Sequence, residues 1–465
     1  MSGKRPRPKV PSRRPRRGAK PGPKRIGRKS RKVTPPTEYS VLLTVTLCLV
    51  ALGALMVFSA SSVKALEAAG LADSVEYLKR VAIFGALGLV AMRLAAWRGL
   101  TVAYAATPAV LAVAALLLVA VLVPGIGQTV NGSQRWVGFG MIQFQPSEIA
   151  KLALLLYSAR LLASEPKRVR TLKELSPLLV VGGVLAGLVA LQPDLGTIGI
   201  LVLSTGALMY TAGVKPRTIA PVAAVVAVGA IGLIASNPYQ QERITGFINP
   251  SADADGAGYQ NRQAEIAIGS GGVFGVGMGE SVQKASYLPE AHTDMISAVL
   301  GEEAGLLGMT ALLGLFAAFG WAGFKAAHRS RNRYAKLLGA GLTALILVQA
   351  AINLFAVMGL APLTGVPLPF VSYGGTSLVI MLVAAGLLLN VARGGSVKIT
   401  ARAPAEARTR PEPARAGGAA RLRVLEGGAS ERIPTRRRAA ASSRSGRRDR
   451  RSRDAGHRRG GRAEG

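Results

Sequence analysis

Residues 281–308 read SVQKASYLPEAHTDMISAVLGEEAGLLG and join a long polar connection to an apolar stretch. The residue spacing predicts a helix that begins at about Thr293. One face of this helix is acidic and small, with Asp294, Ala298, Gly301, Glu302 and Gly305 at helical spacing. Because a carboxylate in hydrocarbon is costly, this face must line a bundle or a water-filled cleft. Asp294 lies at the border, where water and a polar ligand can reach it.

Apolar stretches of similar character recur along the chain. Crossing ~30 Å of hydrocarbon takes ~20 residues of helix. Ten stretches approach or exceed that length: 40–60, 78–97, 102–123, 146–163, 176–192, 195–212, 217–236, 294–324, 337–360 and 374–392. We therefore predict an all-α membrane protein, a polytopic bundle of ten transmembrane helices.

Charge separates the body of the chain from its two ends. The formal net charge is +34, yet residues 38–392 hold 22 Lys/Arg and 17 Asp/Glu. Residues 1–37 hold 15 Lys/Arg and no acid, and residues 393–465 hold 21 Lys/Arg and 7 acids. Segments of this composition do not bury a core. We predict a disordered basic cytoplasmic tail (1–37), a ten-helix membrane domain (38–392) and a disordered Arg-rich cytoplasmic tail (393–465).

Basic residues in the short connections predict the orientation, because Lys and Arg are enriched on the cytoplasmic side. The connections at 93–98, 167–173, 215–217 and 325–336 are basic and share their side with both tails. The remaining connections are then extracellular, including the long loop 237–293 between helices 7 and 8. A loop of that length is usually functional or disordered, and its density of motifs favours function.

The first polar segment on the extracellular side contains Arg135 beside Trp136, followed by Glu148 and Lys151 near a helix start. Lys151 is either half of an internal ion pair with Glu148 or a cation for a phosphate group at the membrane surface. Arg135 is either an anchor at the membrane interface or a residue whose guanidinium binds phosphate oxygens through two N–H donors.

Three further segments add candidates on the same side. Gln192 and Asp194 precede the sixth span, where Asp194 is either a helix cap or a substrate ligand. Arg243 and Lys284 are cations of the long loop, whose glycines permit tight turns and close approach. Ser372 belongs to a Pro- and Gly-rich segment that has a re-entrant character and either lines a cleft or is only structural.

The sequence contains no His/Cys cluster with zinc spacing, no nucleophile elbow and no Walker motif. It predicts no metal ligand and no certain cofactor, and leaves a divalent cation open. The single cysteine, Cys48, excludes an internal disulfide and is predicted to be a small core residue. The remaining chemistry is a carboxylate, Asp294, surrounded by cations, which suits a general base acting on an anionic, lipid-borne substrate.

Five motifs together resemble the SEDS family (shape, elongation, division and sporulation), in order and across 38–392. They are NGSQRW (131–136), QPSEIAK (145–151), LQPDLGT (191–197), SVQKASYLPEAHTD with GEE (281–303) and PLPFVSYGGTS (367–377). The fourth motif is more similar to the division branch, FtsW, than to the elongation branch, RodA. Met295, Ser297 and Thr376 depart from residues common in the family.

The resemblance implies a peptidoglycan glycosyltransferase that polymerises lipid II on the outer face of the cytoplasmic membrane during cell division. The family's essential aspartate corresponds to Asp294, which would deprotonate the acceptor 4-hydroxyl while undecaprenyl diphosphate leaves the donor. Residues predicted to bind substrate are Arg135, Lys151, Arg243, Lys284, Glu148, Asp194, Gln192 and Ser372. The implied partners are lipid II, the nascent glycan strand, a class B penicillin-binding protein and other division proteins at the septum.

Three alternatives stay open from the sequence. A lipid II flippase needs charge near the midplane, and Glu302 and Glu303 lie deeper than Asp294. An elongation-branch polymerase would share the chemistry. A scaffold would use only the tails, as docking arms for other division proteins.

We predict that the tails bind anionic membrane lipid, take no part in chemistry and bind no nucleic acid. Each Lys or Arg near an anionic leaflet contributes ~1 kcal/mol, and no aromatic residue interleaves the N-terminal cations to stack on bases. A chain trimmed to residues 38–392 should polymerise lipid II at the rate of the full chain. Separate tail peptides should bind anionic vesicles and not DNA. Loss of activity in a well-folded trimmed chain would contradict this prediction.

Overall fold

The computed structural model describes Gly3 and residues 36–67, 72–130, 133–139, 142–166, 171–249, 256–284, 287–289 and 291–397. The helices within these ranges are α1 Thr37–Glu67, α2 Ala72–Ala120, α3 Pro146–Ser164, α4 Leu172–Ala190, α5 Leu195–Ala212, α6 Pro216–Ser236, α7 Pro238–Ile248, α8 Ala257–Ser270, α9 Ile296–Arg329, α10 Arg333–Val357 and α11 Gly375–Ala392. The strands are β1 Gly127–Val130, β2 Ser133–Phe139 and β3 Ile142–Phe144.

Eight of the described helices are long and apolar enough to cross a membrane, which confirms a polytopic, predominantly helical membrane protein. Two differences separate these eight helices from the ten predicted spans. Helix α3 coincides with the fourth predicted span but carries three charged residues, Glu148, Lys151 and Arg160. Helix α2 contains the second and third predicted spans in one element of 49 residues.

The contacts of α2 show that the chain crosses the bundle in one direction and then returns within this element. Gly88 packs against Leu382 of α11, and Leu100 lies beside Gly395, which follows the end of α11. Further along, the Leu118 carbonyl accepts a hydrogen bond of 3.2 Å from Gln192, at the opposite end of the bundle. Both predicted spans therefore lie within this one element.

The bundle has two chemically different ends. At one end, which we call the basic end, α9 finishes and α10 begins. There the buried Glu38 carboxylate pairs with Arg329 at 2.6 Å and with Lys325 at 3.3 Å. At the other end, which we call the loop end, the segment 237–295 connects α6 to α9. The described residues of this segment include two helices, α7 and α8, which the sequence did not predict.

Helix α10 lies at the centre of the bundle, and α6 lies at its margin. In the most apolar stretch of α10, 72% of the residues are buried. The helix packs against α3, α5, α9 and α11. In contrast, none of the residues of α6 is buried, although all of them are described, and this helix packs mainly against α5 and α7. Cys48, predicted to be a core residue, is exposed on α1, so that prediction was wrong.

Helix α9 is interrupted near its start. The predicted helix from Thr293 instead begins at Ile296, so Asp294 lies in the preceding turn. Gly305, with φ 63° and ψ −158°, breaks the helical backbone. Ala298 and Glu302, two members of the predicted acidic face, are 0% and 2% exposed, which confirms that this face is turned away from lipid. Glu303, outside that face, is 1% exposed.

A glycine-rich segment, 271–277, fills the break in α9. The backbone N–H groups of Val276 and Gly277 donate to the carbonyls of Glu302 and Glu303, at 3.0 and 3.1 Å. A Cβ on Gly305 would stand 2.7 Å from the Val273 carbonyl oxygen. The prediction that these glycines permit close approach is confirmed. Because α9 lies within an apolar bundle, these bonds satisfy backbone groups that water does not reach.

A small antiparallel sheet in the order β1-β2-β3 occupies the connection between α2 and α3. The sequence predicted no strand here. Gly127 pairs with Val137, and Val137 pairs in turn with Phe144. The sheet places Arg135, on β2, at the loop end.

The chain divides into two compact units, Met1–Ala403 and Pro404–Gly465. Every helix above belongs to the first unit, and the second lies outside the described residues. The proposed disorder of both tails falls almost entirely outside the described residues, as do Asn131, Lys167, Arg168 and Arg170. The predicted domain boundaries therefore stay predictions.

We predict that Gly305→Ala destabilises the protein by ~1–3 kcal/mol, because a side chain is strained at positive φ and meets the 271–277 segment. Gly314→Ala is the matched control in the same helix, since nothing lies within 4 Å of the added Cβ. Thermal unfolding of both variants in detergent, followed by circular dichroism, measures the difference. Equal stability of the two variants would contradict a required break at Gly305.

Candidate active site

Asp294 lies at the loop end, in the turn that precedes α9, and its side chain is half-buried. The Thr293 hydroxyl donates to its carboxylate at 3.2 Å. Its backbone carbonyl accepts a hydrogen bond of 2.7 Å from the Asn353 amide of α10. The carboxylate is therefore held by its backbone while remaining partly accessible.

A non-helical segment, 361–374, enters the bundle between α10 and α11. The Asn353 and Gln349 amides donate to the carbonyls of Val366 and Pro367, at 2.9 and 3.0 Å. On the opposite side, a Cβ on Gly53 of α1 would stand 2.6 Å from the Phe370 carbonyl oxygen. This buried irregular backbone fits the predicted re-entrant character, because such a segment is tolerated at membrane depth only when protein surrounds it.

The same segment brings Asp294 close to Arg243. A Cβ on Gly365 would stand 3.9 Å from an Asp294 carboxylate oxygen and 3.6 Å from an Arg243 guanidinium nitrogen. Gly365 has φ +68°, a backbone conformation that favours glycine. The Arg243 guanidinium also donates to the Leu363 carbonyl at 2.8 Å. The site thus combines a carboxylate and a cation beside a residue without a side chain.

A second half-buried cation, Arg135, lies near Arg243. Arg135 donates to the carbonyls of Gln192, at 2.8 Å, and Pro193. The Tyr239 ring lies under both guanidinium groups, 5.7 Å from Arg135 and 4.7 Å from Arg243. The two arginines line one cavity of about 240 Å³ at the loop end. Both arginines hydrogen-bond to neutral carbonyl oxygens, which do not neutralise their positive charges.

Residues 39–396 match the FtsW/RodA/SpoVE family of cell cycle proteins. The chain belongs to this family. It is 37% identical over 360 residues to stage V sporulation protein E of Bacillus subtilis, covering 76% of this chain and 96% of that protein. It is 39% identical over 365 residues to the probable peptidoglycan glycosyltransferase FtsW of Trichlorobacter lovleyi, covering 77% and 94%.

A solved structure also matches this FtsW/RodA/SpoVE-family chain, with a TM-score of 0.62 and 27% identity. It concerns the structural coordination of polymerization and crosslinking by a peptidoglycan synthase complex, and the match covers 76% of this chain and 96% of that one. Together these similarities confirm the predicted resemblance to the SEDS family and its FtsW branch.

Lys151 lies inside the bundle rather than at the surface. Its ammonium group is 2.8 Å from Glu148 and 2.7 Å from the Gln349 amide oxygen. Lys151 and Glu148 are 1% and 2% exposed. The ion pair that the sequence left open is therefore present, and a role at substrate for either residue stays a prediction.

Lys284 lies in a comparable buried contact. Its ammonium donates to Glu303 at 2.7 Å, to Ser59 of α1 at 2.9 Å and to the Gly279 carbonyl at 2.7 Å. Glu302 accepts hydrogen bonds from Ser281 and from the backbone N–H of Val282, the latter at 3.0 Å. These contacts fasten the long connection to α9 and α1.

Three other predicted site residues have structural contacts of their own. Both Asp194 oxygens accept from Thr197, at 3.0 Å from its N–H and 2.8 Å from its hydroxyl, so Asp194 caps α5. The Gln192 amide donates to the Leu118 carbonyl. The Ser372 hydroxyl accepts from the Leu368 N–H at 2.8 Å. Their substrate roles stay predictions.

Burial therefore separates the nine predicted site residues into two groups. Asp294, Arg135 and Arg243 are half-buried at the loop end, whereas the other six are buried with internal partners. Within the described part of the chain, no group of three or more His, Cys, Asp or Glu side chains could hold a metal ion.

Three residues of this site were not predicted from the sequence. Gln349 and Asn353 are amides four residues apart in an apolar span, a pattern that indicates one polar face turned away from lipid. Tyr239 gave no such indication, because its position depends on the start of α7 at Pro238.

We predict that Lys151→Met lowers stability by ~3–5 kcal/mol, because it leaves the buried Glu148 carboxylate without its cation. The double variant Glu148→Gln/Lys151→Met should recover that stability, as measured by thermal unfolding in detergent. Polymerisation is then assayed on the stable double variant. Recovered activity excludes a required substrate role for Lys151, whereas recovered stability without activity would assign a role in the reaction to Lys151 or Glu148.

Proposed function

We propose that this chain is a peptidoglycan glycosyltransferase that polymerises lipid II during cell division. The observation that supports this most is the half-buried Asp294 carboxylate beside the Arg243 guanidinium at the loop end. The FtsW relatives are named as probable glycosyltransferases of the same kind. In this proposal the loop end faces outward and both termini are cytoplasmic, because the basic connections lie at the other end.

In the proposed reaction, Asp294 accepts the proton of the acceptor sugar 4-hydroxyl. The freed oxygen forms a bond to the anomeric carbon of the donor glycan, and the bond from that carbon to undecaprenyl diphosphate breaks. A general base needs access to the hydroxyl and a fixed position. Partial exposure of Asp294 supports the first requirement, and the Asn353 bond to its backbone supports the second.

Arg243 and Arg135 are the proposed partners of the leaving diphosphate. A guanidinium binds phosphate oxygens through parallel N–H donors, and these two share the cavity of about 240 Å³. The charge that develops on the leaving group is stabilised best by donors already in place. Lys151 and Lys284 are less suited to this role, because each already pairs with a buried carboxylate.

A class B penicillin-binding protein is the proposed partner, which would cross-link the product at the septum. The similarity to a chain of a peptidoglycan synthase complex supports this proposal. A flippase is less favoured, because Glu302 and Glu303, the carboxylates that suggested transport, bind the 281–284 segment.

We predict that Asp294→Asn lowers polymerisation of lipid II by ~10²–10⁴-fold, because asparagine keeps the size of the side chain and removes the base. The assay uses purified protein in detergent with labelled lipid II, where no second leaflet exists and transport gives no product. Glu242→Gln is the matched control, since it removes an exposed carboxylate next to Arg243 in the sequence.

Near-normal glycan synthesis by Asp294→Asn would exclude Asp294 as the base. Absence of polymer from the unaltered protein, with and without its partner, would instead exclude the polymerase function. Thermal unfolding of each variant separates lost chemistry from lost fold.

A further inference from the structure

A second cavity lies at the basic end of the bundle, away from Asp294. Its volume is about 640 Å³, and α2, α3 and α4 line it. Most of its wall is apolar and includes Leu111, Ala112, Ala115, Val181, Val184 and Leu185. The size falls within the ~300–1,000 Å³ typical of small-molecule sites.

The polar residues of this cavity gather at one end. Arg160 lies in the last turns of α3, and its guanidinium donates to the Tyr104 carbonyl at 2.8 Å. The same guanidinium lies 4.7 Å from the centre of the Tyr104 ring. The Tyr104 hydroxyl lies 3.5 Å from the hydroxyl of Ser164, the last residue of α3. Glu165, which follows the end of α3, also lines this part of the cavity. The mouth at the basic end therefore carries one guanidinium, one carboxylate and hydroxyl groups.

The apolar part extends from this mouth toward the middle of the bundle. Ala115 follows Tyr104 by eleven residues along α2, which is ~16 Å of helix. That depth is close to half of the ~30 Å hydrocarbon thickness, or one leaflet. A lipid whose head carries a phosphate matches the guanidinium at the mouth, and its aliphatic chain matches the polarity and the length of the apolar part.

We propose that this cavity binds one glycerophospholipid of the leaflet at the basic end, with its phosphate at Arg160 and an acyl chain along α2 and α4. Guanidinium groups bind phosphate as a planar fork of donors. The site is separate from glycan synthesis and does not depend on the proposed function.

The lipid-linked substrate of the proposed reaction is a poor fit to this cavity. Its diphosphate would have to lie at the mouth beside Arg160, while Asp294 and Arg243 lie at the opposite end of the bundle. A water-filled cavity is also a poor fit, because water needs several polar partners and the deep wall is apolar.

The test uses the full chain in detergent, titrated with phosphatidylglycerol and observed by native mass spectrometry. We expect one lipid retained per chain, and about tenfold weaker retention in Arg160→Gln because a charge-assisted contact is lost. Arg217→Gln is the control, since it removes a basic residue at the N-terminal end of α6, outside the cavity. A galactosyl diacylglycerol, which lacks phosphate, should compete weakly.

A second pair of variants keeps Arg160 in place. Val184→Trp fills the apolar part and should abolish retention, whereas Val228→Trp on the exposed face of α6 should not. This pair tests whether the lipid occupies the cavity even if Arg160→Gln fails to fold. Retention of phosphatidylglycerol by Val184→Trp at the unaltered level overturns the proposal. Equal retention by a stable Arg160→Gln, or equal competition by the galactolipid, also overturns it.

Discussion

The architecture depends on one requirement: a backbone polar group inside hydrocarbon needs a partner within the protein. The 361–374 segment meets it through two amides of α10, Gln349 and Asn353, which donate to the carbonyls of Pro367 and Val366. The same amides accept from Lys151 and donate to the Asp294 carbonyl. A polar row on the central helix therefore supports the re-entrant backbone, a buried ion pair and the candidate base together.

The charged groups of the bundle differ in their partners according to how deeply they are buried. Carboxylates inside it are paired with cations or N–H groups, as Glu303 is with Lys284 and Glu302 with the 282–283 backbone. Arg135 and Arg243 at the loop end bond to neutral carbonyls instead. Because a buried charge is tolerated only when it is paired, the inner groups need their partners, whereas the outer groups lie where the proposed anionic substrate would reach them.

Hydropathy predicted most of the spans because lipid exposure demands apolar residues on a length that is easily counted. Features that depend on which segments meet in the folded chain were less predictable. Examples are the break at Gly305, which the 271–277 segment fills, and the burial of Lys151. The first hairpin of the sheet was predictable in principle, since the sequence Asn131-Gly132 between β1 and β2 is a strong hairpin signal. Asp294 was identified because a carboxylate at a membrane border is rare, whereas the stacking of Tyr239 under two arginines requires the folded chain.

Helix α6 stands at the margin of the bundle without a buried residue. Its 21 residues extend about 32 Å, close to the ~30 Å thickness of hydrocarbon. Its packing against α5 and α7 is what fixes its orientation, and most of its surface faces lipid. Since α7 follows α6 directly and carries Arg243, the helix in this bundle with the least protein cover stands next in the chain to the cation beside Asp294.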